Sequence, residues 1–159
     1  MDRISNSAIV VARVLISIVF VLNGFGIIDQ TIPAKELVER GAPASLVPLM
    51  MLVGRTLELT AGFALALGIV PRLAALALFA FLVPATFVSH SFWLAAGTPA
   101  FQGQLINFSK NVAMWGGLLF IAGSAGQPSL LAERKPRFAI HESKNLGKAG
   151  VAGIGGVQE

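Results

Sequence analysis

Two opposite charges stand inside a stretch apolar enough to cross a bilayer. They are Arg55 and Glu58, within LMMLVGRTLELTAGFALALGIVPR, Leu49 to Arg72. Three residues apart on a helix, they share a face. In hydrocarbon each costs roughly 2.5–3.5 kcal/mol on the insertion scale, so such residues face a bundle interior and find partners. Glu58 can accept a proton, and Arg55 can orient an anionic or carbonyl-bearing headgroup. The same two residues can instead lock helix packing.

Other groups could join them. Asn107, Lys110 and Asn111 lie at i, i+3 and i+4, on one helical face. Asn23 and His90 each stand near the end of an apolar run. Glu58 can pair with Arg55, with Lys110, or with both, and the three carry a net charge of +1 when ionised. A cluster of that sign with amide donors suits a quinone or a lipid phosphate. His90 also reads as a hydrogen-bonded interfacial anchor. Arg13 stands apart and is expected to snorkel or to pair with a loop, and Arg72 marks a turn.

Those residues need elements to hold them. Four apolar segments have spanning length: Ala8–Ile28, Val47–Val70, Leu73–Ser89 and Ile106–Ala125. About 20 residues cross the hydrocarbon core. Pro84 is expected to kink the third. Between the first two, IPAKELVERGAP suggests a short interfacial helix. His90–Leu105 is rich in aromatics, and reads as a re-entrant or interfacial loop or as a plain turn anchored by Trp93. The fold class is therefore an all-α integral membrane protein, a four-helix bundle. Residues 1–127 form the membrane domain. Residues 128–159 form a basic, glycine-rich tail expected to be disordered.

Composition agrees. The 159 residues are 55% hydrophobic and 13% charged, with a mean hydropathy of +0.75. Soluble domains carry about 25% charged residues. With no cysteine, thiol redox chemistry, iron–sulfur clusters and Cys-based zinc sites are excluded. The pI is near 10.1, and five of the twelve basic residues sit in the short tail beside apolar segments, so anionic lipid is the expected partner rather than nucleic acid. Arg13 interrupts the first apolar run and no A-x-A-like site follows, so that run is expected to be a retained span.

Orientation follows from the basic residues. Arg3, Arg72, Arg134, Lys135, Arg137, Lys144 and Lys148 fall on the side of the termini, and only Lys35 and Arg40 on the other. The positive-inside rule puts both termini in the cytoplasm. Arg55 is then ~12 Å and Glu58 ~16 Å from the outer end of their span. Asn23, His90, Asn107, Lys110 and Asn111 are expected to converge on them in the outward half.

The strings ARVLISIVFVLNGFGII, RTLELTAGFALALGIVPRLAALALFAF and NFSKNVAMWGGLLF, with His90 between the last two, carry a resemblance. The chain resembles the DoxX family of small bacterial inner-membrane proteins from Arg13 to Ser124, the tail excepted. The resemblance implies a four-span bundle in the bacterial inner membrane. It implies too that some members join membrane-associated redox or oxidative-stress complexes. The family's name comes from a subunit associated with a terminal quinol oxidase. Arg13, Glu58, Arg72, His90, Lys110 and Asn111 match its polar set; Arg55 and Asn23 come from the depth argument alone. The lack of cysteine sets the chain apart from a related thiol-active group.

Three functions are therefore expected to compete. The first is a non-catalytic subunit beside an oxidoreductase partner. Only His90 and His141 could ligate haem, and no cofactor is evident. The second is a protein that binds quinone or lipid around Glu58, with catalysis or transport as its possible use. The third is a scaffold whose tail touches anionic lipid. A homo-oligomer fits any of them.

Overall fold

The computed structural model describes residues 3–29 and 31–124. Five α-helices follow one another: α1 Arg3–Gly24, α2 Thr31–Glu39, α3 Val47–Leu67, α4 Pro71–Ser89 and α5 Phe101–Gly123. A 3-10 turn at Phe92–Ala95 precedes α5. All but α2 are long and apolar enough to span a membrane. The chain is thus an all-helical, four-span protein. The expected tail, with His141, lies outside the described residues.

Helix ends are written in the sequence. Gly26 and Gly68 take left-handed backbone angles, φ 72° and 73°, which a side chain resists. Around Gly26, Gly26 N donates to Asn23 O and Ile27 N to Leu22 O; around Gly68, Gly68 N donates to Leu65 O and Ile69 N to Ala64 O. Both are Schellman stops. The first span therefore ends at Gly24 and not at Ile28, because apolarity continues past the point where glycine turns the backbone. The fourth span, α5, begins at Phe101, five residues before Ile106. Gln102, Gly103 and Gln104 dilute its hydropathy but do not hinder a helix that starts just beyond Pro99. Pro84 is accommodated without a break in α4.

Packing runs α1 on α3, α3 on α4, α4 on α5 and more lightly α5 on α1, so α3 and α5 stand diagonally. Helix α2 lies across α3 and α4 at one end, called here the α2 end; the tight turn between α3 and α4 marks the other. The apolar core sits toward the turn end: Phe20, Leu65, Ala74, Ala75, Leu78, Leu118, Ile121 and neighbours. Large apolar side chains such as Leu15, Leu52, Leu73 and Phe120 face outward, as lipid contact requires. Toward the α2 end, Phe87, Phe92, Trp93, Phe108 and Trp115 form a connected group of rings. Trp93, expected as an interfacial anchor, packs into that group.

Candidate functional site

Glu58 is built into the α1–α3 contact. Its face of α3 also carries Gly54, Gly62 and Leu65, all buried. A Cβ on Gly24 would sit 2.7 Å from that of Leu59, and one on Gly62 would sit 3.2 Å from Val21. Glycine thus lets the two helices touch. That approach brings Asn23 Nδ2 to donate to Glu58 Oε1 at 3.1 Å, with Glu58 only 5% exposed.

Arg55 turns away from its expected partner. No ion pair within 4 Å joins Glu58 to Arg55 or to Lys110. Instead the Arg55 guanidinium lies on Gly26, and Nη2 donates to Gly24 O at 3.5 Å. The reason is local geometry: a helical side chain leans toward its own N-terminus, which for Arg55 is the end of α3 nearest the close of α1.

The other two arginines repeat the arrangement. Arg13 is fully buried and its guanidinium rests against Gly68, where an added Cβ would be 2.9 Å from Nη1. It therefore meets the turn after α3 rather than snorkelling outward. Its three guanidinium nitrogens have no hydrogen-bond partner among the described residues. Arg72 Nε donates to Ala122 O at 3.0 Å, at the close of α5. In an antiparallel pair, leaning toward one's own N-terminus means leaning over the neighbour's C-terminus. There the last carbonyls lack helical partners and carry the negative end of the dipole. Three arginines thus stand at the C-terminal ends of three helices other than their own.

The remaining candidates separate into different places. Asn111 Nδ2 donates to Thr86 Oγ1 at 2.9 Å, tying α5 to α4. His90 Nδ1 lies 3.0 Å from Gln104 Oε1. Asn107 and Lys110 are exposed on α5. They occupy its second and third turns, because α5 starts at Phe101. The diagonal placement of α3 and α5 keeps Lys110 off Glu58. One convergent cluster therefore becomes a buried Asn23–Glu58 pair, an α4–α5 tie and an exposed α5 face.

Sequence reasoning missed Thr86, Gln104 and Glu36. Thr86 is a lone hydroxyl in an apolar run, and nothing in its spacing marks it. Glu36, on α2, faces Ser89 and His90 across the α2–α4 contact. Burial pushes its carboxyl above the usual range; Ser89, His90 and Arg40 pull it back, and Glu39 adds to the rise. Its Oε2 is buried without a hydrogen-bond partner. Among the described residues no three His, Asp or Glu side chains gather as a metal site.

Two open grooves flank the α2-end half of α3. One, of about 390 Å³, is apolar and lined by Leu49, Met50, Val53, Gly54, Leu57 and Phe81. The other, of about 400 Å³, is lined by Gly26, Asp29, Thr31, Ala34, Met51 and Arg55. The second is the only one of the pair that an arginine borders.

The fold compares with no solved structure at a significant level. Among curated proteins the chain is similar to inner membrane protein YqjF of Escherichia coli (strain K12). The two are 30% identical over 123 residues, 77% of this chain and 87% of YqjF. The DoxX family model matches residues 8–91, which takes in most of α1 and the whole of α2 to α4. A four-span bundle, an inner-membrane relative and a family match over more than half the length agree: the chain is a multi-pass protein of the bacterial inner membrane and belongs to the DoxX family.

Proposed function

We propose that this protein is a non-catalytic subunit of a membrane-associated redox complex, joined to its partner within the bilayer. One observation carries the reading: the intramembrane polar groups divide. Arg55, Arg72, Glu58, Asn23 and Asn111 are spent on helix ends and helix contacts and Arg13 is enclosed against Gly68, whereas Asn107 and Lys110 face outward. Polar side chains that do not serve the chain's own packing suit a neighbour. The redox character of that neighbour rests on the family resemblance. Native purification in mild detergent tests it. Recovery with an oxidoreductase in fixed proportion is expected, and recovery of the chain alone would overturn the reading.

A second reading has its own observation. Arg55 borders the groove with Asp29 and Thr31, and its Nε is buried without a hydrogen-bond partner. A quinone carbonyl or lipid phosphate placed there would meet the exposed side of the Arg55 guanidinium. Binding of a photoreactive quinone should then fall at least tenfold in Arg55→Gln and in Glu58→Gln while both variants stay folded. Labelling unchanged by either substitution would count against a site in this groove. Loop charges favour both termini in the cytoplasm; a C-terminal phosphatase fusion should accordingly be inactive.

A further inference from the structure

We infer that the exposed face of α5 docks a partner's membrane helix that carries a carboxylate at the depth of Lys110. The inference rests on the subunit reading and names the partner's chemistry.

Lys110 is the tenth residue of the 23-residue α5, so its Cα lies ~13 Å along the axis from Phe101. The whole helix is ~34 Å long against a hydrocarbon core of ~30 Å. The Lys110 Cα is therefore about 11 Å inside hydrocarbon. A four-carbon stem leaning toward the Phe101 end recovers roughly 6 Å of that. The ammonium stays below the interface, exposed on the protein surface and with no ion-pair partner among the described residues.

The surroundings suit a helix. Asn107 lies one turn away on the same face and is also exposed, able to hydrogen-bond across an interface. Gly103, one turn before Asn107, continues the stripe toward the Phe101 end. A Cβ there would meet nothing within 4 Å, so a neighbouring backbone has room to come close. A lone cation in low dielectric selects an acid.

A second copy fits poorly. Two-fold pairing through this face sets like against like, Lys110 beside Lys110. The acid within the spans, Glu58, is buried against Asn23 on the diagonal helix.

The test uses the full chain labelled at Ala44→Cys and reconstituted in phosphatidylcholine vesicles. The probes are labelled leucine–alanine helices with one Asp, or one Asn, at mid-depth. Energy transfer should report the Asp helix binding roughly threefold to fifteenfold tighter than the Asn helix. That preference should vanish in Lys110→Met, whose unfolding temperature should match the parent. Equal binding of the two helices would overturn the inference. So would a preference that survives Lys110→Met, Lys110-dependent self-association outcompeting both helices, or loss of the preference when phosphatidylglycerol is added, since the ammonium would then be taking lipid phosphate. The probe has no redox group, so failure to find an oxidoreductase partner leaves this result standing by itself.

Discussion

The two ends of the α1–α3 pair solve one problem in different surroundings. At the turn end, α3 closes at Gly68 under Arg13. At the α2 end, α1 closes at Gly26 under Arg55. Each helix lends an arginine to the other's last turn. Yet Arg13 is fully enclosed beside the apolar core, whereas Arg55 is partly exposed and borders a groove with Asp29 and Thr31. The same residue type at equivalent places is a sealed fastening in one case and an accessible donor in the other. Position along the bundle, and not residue chemistry, decides which arginine is available to a ligand.

Substitution should expose that asymmetry. The largest effect is expected from truncating the arginines. Arg13→Ala empties an enclosed volume beside Gly68 and should cost about 3 kcal/mol through the cavity it leaves. Arg55→Ala should cost about 1 kcal/mol, because water reaches that end. Unfolding in detergent monitored by tryptophan fluorescence measures both; equal losses would end the distinction.

A smaller difference is expected at the glycines. Alanine at either position pays roughly 1–2 kcal/mol for the left-handed backbone. Gly68→Ala should be the worse of the two. Its new methyl meets a guanidinium that is closed in, whereas at Gly26 the Arg55 side chain can swing into the groove. A reversed ranking of midpoints would show Arg55 to be the more tightly held.

The smallest effect concerns α2. Burial raises the Glu36 carboxyl, so the docked helix favours the protonated acid. Its contribution is complete below the ordinary carboxylate range and is lost as pH rises through the raised value. Charges facing it are His90 from beyond α4 and, on or next to α2, Arg40 and Glu39. Hydrogen exchange of α2 amides should quicken beyond its intrinsic rate as pH rises above the ordinary carboxylate range, and Glu36→Gln should remove that excess. Exchange indifferent to Glu36 would place the pH response elsewhere.

The spans were legible because twenty apolar residues in a row admit few other fates. So was α2, which takes Pro33 into its first turn and stops short of Pro43. What sequence spacing misjudged was direction. Arg55 and Glu58 do share a helix face at i, i+3, but the long arginine stem leans one way along the axis and takes its charge to Gly24 and Gly26. The Asn107–Lys110–Asn111 face was also read correctly as a spacing, yet which way that face turns depends on α3 and α5 being diagonal. That arrangement is a property of the assembled bundle and not of any one segment. The tie between Asn111 and Thr86 was invisible for the same reason.

The borrowed arginines also set an order of assembly. Helix α1 enters the membrane with the Gly24 carbonyl uncapped by its arginine, and it stays so until α3 has been made, for Arg55 lies 31 residues beyond Gly24. Helix α3, by contrast, finds Arg13 already waiting, and α5 finds Arg72. One helix end in this bundle must therefore wait for synthesis to catch up. An inserted chain halted before Arg55 would carry that end open, and would be the form most exposed to the cell's membrane proteases.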